Sequence, residues 1–456
     1  MSSSNNSNIN EINEPLKLQG IRGIIYDGFK YLHPLKKTIL FQDGQIKEFN
    51  DDRGLEDVLD LPDDVLILPG GIDLHVHGRD VFDIFPGEQG DQTYKEDSYT
   101  LSLALAQGGT THAMCMPNLC KKIITLDDYQ KQLFWINNEL SHRKKPIIPL
   151  SMYALIEPGS SPLIDNAMYK LLWNTFGPTN FPNDEEVKIT LMNYGRKSGS
   201  EKRRWVTAHC ETIADMVKDK NIPHHMQRPK MAAINAVRIF LEAAREYDFH
   251  AHVAHISSTE EVDIVMEYKS KGVSTSCEVT PQSLTIDYEI FEKVTGLPLV
   301  WGQQNPPLRS YTDRLALILK QNYIDIYVSD HAPHTTDENE TGISGMPQAS
   351  TEGQLYLEQL TQGNITLQDF VWKRSITPGS ILEKELGLKK GKLEKGYEAS
   401  LTLITLGKKS RFNNSEILSR CGWTPYENFN FSNTIEGVVV EGVLYSQSAL
   451  QKLRNK

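Results

Sequence analysis

Eight strand-like segments alternate with helical stretches over about 260 residues in the middle of this chain, and this alternation restricts its fold more than any other feature. A strand followed by a helix, repeated eight times, predicts an α/β protein built on a (β/α)₈ barrel. The predicted strands are 72–76, 111–116, 147–153, 187–191, 205–208, 250–255, 274–279 and 324–329. The predicted helices include 97–107, 126–139, 230–246, 258–271 and 311–320.

Both ends of the chain carry short β-rich segments separated by turns. They predict a small β-sandwich domain formed by both chain termini. The predicted bounds are a disordered tail over 1–15, the first β-sandwich part over 16–68, the barrel over 69–390, and the second β-sandwich part with a C-terminal tail over 391–456.

The charge balance argues against nucleic acid and membrane as partners. The chain has 456 residues and a net charge of −11, from 48 basic and 59 acidic side chains. Acidic proteins bind anionic polymers and lipid surfaces poorly. No apolar run approaches the ~20 residues that a membrane-spanning helix needs. Five cysteines occur without a Cys-x-x-Cys pair, which favours reduced thiols and a cytoplasmic location.

The first predicted barrel strand ends in His75, Val76 and His77, with Arg79 two residues further on. Side chains along a strand alternate between its two faces, so His75 and His77 share a face and can converge on one metal ion. Arg79 could then hold an anionic substrate beside that metal. The alternative is that both histidines are packed or hydrogen-bonded core residues.

Further polar residues stand where predicted strands end, which is where barrel enzymes gather their functional groups. These residues are Asn118, His209, His255, Asn305, Asp330 and His334. By contrast, His224 and His225 are predicted to lie in a surface loop.

Lys188 lies between Val187 and Ile189 on the predicted fourth strand. A buried lysine is costly unless it is paired or chemically changed. One solution bends the side chain out to water. Another adds carbon dioxide to the neutral amine, which gives a carbamate able to bridge two metals. Four imidazoles, one carbamate and one carboxylate would suit two Zn²⁺ ions.

In their order along the chain, these residues resemble the dihydroorotases of the amidohydrolase superfamily, over residues 67–442. The resemblance is closer to the type I, animal-like branch than to the shorter bacterial branch. The motifs are Gly71-Ile-Asp-Leu-His-Val-His-Gly-Arg79, Lys95-Glu-Asp97, Gly108-Gly-Thr-Thr111, Met116-Pro-Asn118, Val187-Lys188, Ala208-His209-Cys-Glu211, Val253-Ala-His255, Asn305-Pro-Pro-Leu-Arg309, Ser329-Asp-His-Ala-Pro-His334 and Gly422-Trp-Thr-Pro-Tyr426.

The resemblance implies reversible cyclisation of N-carbamoyl-L-aspartate to L-dihydroorotate in pyrimidine biosynthesis. It implies two Zn²⁺ bridged by carboxylated Lys188, a zinc-bridging hydroxide, and Asp330 as general acid and base. The implied zinc ligands are His75, His77, His209, His255 and Asp330, and the implied substrate contacts are Arg79, Asn118, Asn305 and His334. A homodimer and association with other pyrimidine-synthesis enzymes are compatible with it.

Three segments depart from the family pattern. The segment between Arg79 and Lys95 is longer than the family's Glu-Pro-Gly connection, residues 193–200 lack the Thr-Phe pair of the animal-type mobile loop, and 345–352 interrupts a Gly-x-Pro-Gly-x-Glu pattern. Contacts from a lid are therefore not carried over to this chain.

Two other functions compete with dihydroorotase. A related cyclic-amide hydrolase, such as a dihydropyrimidinase, hydantoinase or allantoinase, would share the metal site, but its substrates offer Arg79 no carboxylate. A non-catalytic scaffold would keep the fold, yet such proteins tend to lose metal ligands.

Overall fold

The computed structural model describes residues 9–50, 58–164, 167–173, 181–196 and 201–455. Its centre is a barrel of eight parallel strands, which we number barrel strands 1 to 8. They are Gly71–Val76, Thr110–Cys115, the broken strand Leu150–Met152 with Ala154–Ile156, Met168–Leu172, Trp205–His209, His250–Val253, Thr275–Val279 and Ile326–Tyr327. Strand 8 returns to strand 1 through a parallel bridge between Val76 and His331, which closes the barrel.

The predicted fourth strand is wrong. Residues 187–191 belong to the helix Asp184–Met192, and Met168–Leu172 is the fourth barrel strand, paired with both of its neighbours. The helix begins where the side chain of Asn183 accepts a hydrogen bond from the backbone of Glu186. Three acidic residues in its first turn suit the positive end of the helix dipole.

Helices cover the outside of the barrel and confirm the predicted alternation. They are Ser98–Gln107, Leu126–Asn137, Asp184–Met192, His224–Gln227, Lys230–Tyr247, Thr259–Ser270, Pro281–Thr285, Phe291–Thr295, Tyr311–Leu319, Thr336–Glu340, Glu352–Thr361, Leu367–Val371, Thr377–Leu386 and Gln447–Asn455. None of the helices within the described ranges is long and apolar enough to cross a membrane.

The two ends of the chain form one nine-stranded sheet. Its strands are Leu16–Lys17, Gly20–Ile25, Leu35–Gln42, Gln45–Asn50, Val58–Asp60, Val65–Pro69, Leu401–Thr405, Thr434–Val440 and Val443–Ser446. Val65–Pro69 pairs antiparallel with Leu401–Thr405, so N-terminal and C-terminal strands lie side by side. This confirms that both termini build the β-sandwich domain.

Two predicted tails have structure. Ile9 is buried in the core of the terminal sheet, and the carbonyl of Ile12 accepts a hydrogen bond from Ser446 Oγ. The predicted disorder is therefore wrong for residues 9–15, while 1–8 lie outside the described residues. The predicted C-terminal tail contains the helix Gln447–Asn455, which packs against Ser98–Gln107.

Candidate active site

A cavity of about 760 Å³ opens at the carboxyl ends of the barrel strands. Every site residue predicted from the sequence lines this cavity, with the single exception of Lys188. The predicted residues brought together there are His75, His77, Arg79, Asn118, His209, His255, Asn305, Asp330 and His334.

Lys188 does not belong to the site. It lies on the helix Asp184–Met192 on the outside of the barrel, where its side chain is 44% exposed. Its Nζ lies 3.4 Å from Oε2 of Glu185, one turn earlier on the same helix. The prediction that Lys188 bridges two metals is wrong.

Lys170, on barrel strand 4, occupies the position that the prediction gave to Lys188. Its side chain is completely buried and lines the cavity, and Nζ has no hydrogen-bond partner among the described residues. Burial lowers the pKa of Lys170 to about 8, although the negative charges of Glu278 and Asp330 oppose this shift. A buried amine without a partner calls for a bound ion or a chemical change.

The sequence held a signal for this lysine. Lys170 interrupts the apolar run from Ala167 to Trp173, which is bounded by polar residues. When Lys170 replaces Lys188 as the lysine of the site, the Thr-Phe pair that is missing after Lys188 is found at Thr175-Phe176, shortly after Lys170. Residues 174–180 lie outside the described part of the chain.

His75 and His77 both face the carboxylate of Asp330. Their Nε2 atoms lie 3.3 Å and 3.0 Å from Oδ1 of Asp330. Burial alone would raise the pKa of Asp330, but the neighbouring His75 and His77 hold it well below its usual range. Asp330 is therefore a carboxylate at neutral pH.

His209 and His255 meet on the other side of the cavity floor. His209 Nδ1 lies 2.9 Å from His255 Nε2. His209 Nε2 lies 2.8 Å from Oε2 of Glu211, which also accepts a hydrogen bond from Arg228 Nε at 3.0 Å. Glu211 can only accept when it is ionised, so His209 carries its proton on Nε2 and turns the lone pair of Nδ1 into the cavity.

Burial keeps these imidazoles neutral. It lowers the pKa of His75 and His209 and lowers that of His255 well below its usual range. Neutral imidazoles offer nitrogen lone pairs, the form in which histidine binds a metal. The ring nitrogens of His75 and His255 and a carboxylate oxygen of Asp330 all lie within 4.8 Å of one another. The donor set therefore fits a metal ion that prefers nitrogen and oxygen ligands.

Glu278, on barrel strand 7, orients two of these groups and was missed by the sequence analysis. Its Oε1 lies 2.5 Å from His75 Nδ1, and its Oε2 lies 2.9 Å from His252 Nε2. The backbone amide of His255 donates to Oε1 at 3.2 Å. A buried carboxylate behind a ligating histidine fixes the ring orientation and increases its basicity as a ligand.

Two of the predicted metal ligands have unusual backbone angles. His255 has φ of 34° and Asp330 has φ of 49°, both in the left-handed region that non-glycine residues rarely adopt. Such conformations cost on the order of 1–3 kcal/mol and cluster at functional sites. Both residues follow the carboxyl ends of their barrel strands, which end at Val253 and Tyr327.

Arg79 lines the cavity two residues after His77 and is buried. Its Nη2 donates to the carbonyl of Pro333 at 3.2 Å and lies 3.4 Å from His334 Nε2. Its Nε has no partner, and no described carboxylate forms an ion pair with its guanidinium. The negative charges of Glu338, Glu96 and Asp330 act on this buried cation only from beyond ion-pair distance.

His334 supports Arg79 from behind. Arg79 Nη2 approaches Nε2 of His334, while Nδ1 of His334 lies 3.2 Å from Oε2 of Glu338 and 3.3 Å from Lys95 Nζ. Lys95 Nζ also donates to Oε1 of Glu338 at 2.7 Å. Burial and the charges of Arg79 and Lys95 lower the pKa of His334 to about 3, so the ring is neutral.

Asn118 and Asn305 are each fixed by a histidine. Asn118 Oδ1 lies 2.7 Å from His77 Nδ1, so Asn118 orients a predicted metal ligand as well as lining the cavity. Asn305 Oδ1 lies 3.1 Å from His224 Nε2. His224 lines the cavity, and its predicted place in a surface loop is wrong.

The chain is similar to known proteins over most of its length. No protein-family profile matches the chain. It is 30% identical over 411 residues to a dihydroorotase of Fusobacterium nucleatum, covering 86% of this chain and 90% of that protein. It is 29% identical to a dihydroorotase of Pyrococcus furiosus, covering 83% and 80% of the two chains. The chain belongs to the dihydroorotase family.

The fold of this dihydroorotase-family chain also matches a solved structure. An L-hydantoinase (dihydropyrimidinase) from Arthrobacter aurescens aligns over 94% of this chain and 96% of its own, with a TM-score of 0.79 and 20% identity. This likeness confirms the predicted barrel with its β-sandwich domain.

Proposed function

We propose that this protein is a dihydroorotase, which interconverts N-carbamoyl-L-aspartate and L-dihydroorotate plus water in pyrimidine biosynthesis. The observation that carries this proposal is the buried guanidinium of Arg79, which lines the same cavity as the predicted metal ligands and forms no ion pair with a carboxylate of the described residues. Both substrates carry a carboxylate that can meet a guanidinium in a two-point contact.

The proposed cofactor is a pair of Zn²⁺ ions, which carboxylated Lys170 would help to hold. His75, His77, His209, His255 and Asp330 would be the remaining ligands. A lysine pKa of about 8 leaves part of the amine neutral near pH 7. The neutral amine adds to carbon dioxide, forms a nitrogen–carbon bond and releases one proton, so a buried cation becomes an anion.

The metals would lower the pKa of water and polarise the amide carbonyl of the ring. Residues of the chain would carry out the proton transfers. Asp330 is ionised and lies against His75 and His77, so it can take a proton from the attacking water. It then delivers that proton to the ring nitrogen as the carbon–nitrogen bond breaks. Ring closure uses the same steps in reverse.

Arg79 and its supporting residues would set the position of the substrate. The carboxylate would bind at the open side of the guanidinium, while His334 and the carbonyl of Pro333 hold Nη2. Because the guanidinium is fixed before the substrate arrives, little side-chain freedom is lost on binding.

Two further features belong to this proposal. Lys170 followed by Thr175-Phe176 supports assignment to the animal-like branch, since that pair is expected in the animal-type loop. The five free cysteines, of which Cys115, Cys210 and Cys277 are buried, support a cytoplasmic location.

The test is an ultraviolet assay of ring opening with purified, zinc-loaded protein. L-dihydroorotate, dihydrouracil and hydantoin are compared at equal concentration, each with and without a chelator. We expect chelator-sensitive opening of L-dihydroorotate far above the other two. Preference for an uncharged ring would instead show a related cyclic-amide hydrolase.

A further inference from the structure

At the cavity wall, His224 of the loop after barrel strand 5 touches the loop after barrel strand 7. His224 begins the short helix His224–Gln227, and its ring reaches Gln304 and Asn305. His224 Nε2 lies 3.0 Å from the backbone oxygen of Gln304 and 3.1 Å from the side chain of Asn305. Both His224 and Asn305 line the cavity.

The contact with Gln304 decides which way the amide of Asn305 points. A backbone carbonyl can only accept, so Nε2 of His224 must carry a proton. The atom of Asn305 that faces the same Nε2 must then be its oxygen, because an NH₂ group there would meet another donor. Asn305 Nδ2, which has no partner among the described residues, is the end left for a ligand.

We propose that His224 is a positioning residue, which holds the amide of Asn305 so that an NH₂ donor, and not a carbonyl oxygen, faces the substrate. This inference rests on the proposed function. Dihydroorotate presents carbonyl and carboxylate oxygens, and all of these accept hydrogen bonds. A free amide could rotate and present its oxygen to them, which would replace an attraction by a repulsion.

The role predicts an effect on substrate binding more than on the chemical step. Asn305 would contact the substrate in the ground state and in the transition state alike. Loss of His224 should therefore raise KM and leave kcat nearly unchanged. We expect His224→Ala to raise the KM for L-dihydroorotate about tenfold, with kcat within about threefold of wild type.

Two further variants separate positioning from simple structural support. His224→Gln keeps an NH donor near the position of Nε2 and should recover most of the lost affinity. His225→Ala is the matched control, because His225 is the next residue, stacks on Tyr288 and does not line the cavity. It should keep the wild-type KM.

The decisive comparison is a double-mutant cycle with Asn305→Ala. If His224 acts only through Asn305, the double variant should have the same KM as Asn305→Ala alone. Effects that multiply would overturn the proposal, because they would show that His224 acts independently of Asn305. An unchanged KM in His224→Ala, or an equal loss in His225→Ala, would overturn it as well.

The wild-type enzyme separates this inference from the function on which it depends. Absence of dihydroorotate ring opening in the zinc-loaded wild type would refute the proposed function, and the role of His224 with it. Ring opening by the wild type, together with any of the overturning results above, would refute the role of His224 alone. Thermal unfolding of each variant shows that it is folded.

Discussion

His77 Nε2 lies 3.0 Å from Oδ1 of Asp330, and this contact joins the end of barrel strand 1 to the end of barrel strand 8. The backbone makes the same closure, since the amide of His77 donates to the carbonyl of His331 at 2.8 Å. The proposed metal ligands therefore sit on both sides of the barrel seam. Closing the barrel therefore brings His75 and His77 to Asp330.

Metal binding should consequently stabilise the whole barrel. A ligand that binds only the folded state adds about 2.7 kcal/mol at a hundred times its dissociation constant. We expect a chelator to lower the thermal unfolding midpoint and added Zn²⁺ to restore it. An unfolding midpoint that responds to neither addition would contradict the proposal that metal binding stabilises the closed barrel.

Replacing Arg79 should abolish recognition of the substrate carboxylate. Arg79→Ala removes a two-point charged contact in a buried site, a loss of about 3–4 kcal/mol or roughly 10²–10³-fold in kcat/KM for L-dihydroorotate. Arg79→Lys keeps the charge but not the planar fork and should recover only part of this loss. Steady-state kinetics checks both variants, and an Arg79→Ala enzyme with normal kcat/KM would count against the proposed substrate.

Glu338 should matter through His334 and Arg79. Glu338→Gln removes the negative charge that contacts both His334 Nδ1 and Lys95 Nζ. The ring of His334, which lies against Arg79, is then held less firmly in its orientation. We expect kcat/KM to fall about tenfold. Asp337→Asn is the matched control, because it removes one charge from the exposed face of the same helix Thr336–Glu340. Equal kinetics of the two variants would rule out this role.

Most of the site could be predicted because its residues follow strands with strong apolar runs. Strand 1 ends at His75 and His77, and strand 5 ends at His209, as the sequence indicated. In a closed barrel these ends must converge, whatever the details of the loops. The fold and the ends of the strands were sufficient to predict which residues lie around the cavity.

The lysine could not be placed because two segments give misleading patterns. Val187, Thr190 and Leu191 are the buried residues of the helix Asp184–Met192, a helical spacing that also resembles a short apolar strand. Barrel strand 4 is buried at all five positions and shows no alternation of apolar and polar residues. Lys170 therefore did not lie in any strand that was predicted from the sequence.

Contacts between segments that are far apart in the sequence could not be predicted. Glu278 is 203 residues from His75, and His224 is 81 residues from Asn305. No local pattern specifies such pairs, since they depend on which loops meet above the barrel. The surface-loop prediction for His224 was wrong for this reason.

His112 should make stability depend on pH at the end of the barrel away from the site. It is buried with Nδ1 unpartnered, and burial holds the pKa of His112 well below its usual value of 6.5. Above pH 6.5 neither the folded nor the unfolded state binds this proton. Below it the unfolded chain binds the proton and the folded one does not, so stability falls as the pH falls.

The prediction is tested by urea unfolding between about pH 7.5 and about pH 5.5. His112→Gln should reduce the slope of the unfolding free energy against pH by up to about 1.4 kcal/mol per pH unit. The slope is independent of any constant destabilisation that the substitution causes. An unchanged slope would show that His112 takes up its proton in the folded protein.

The proposed metal centre depends most on Lys170. Wild type, Lys170→Met and Lys188→Met should be prepared with Zn²⁺ and ¹³C-labelled bicarbonate, and the bound zinc and the ¹³C carbamate signal measured for each. Wild type and Lys188→Met should give the same zinc content, carbamate signal and activity. Lys170→Met should lose the signal, much of the zinc and more than about 10²-fold in activity. A carbamate signal that survives in Lys170→Met, or disappears in Lys188→Met, would contradict the account.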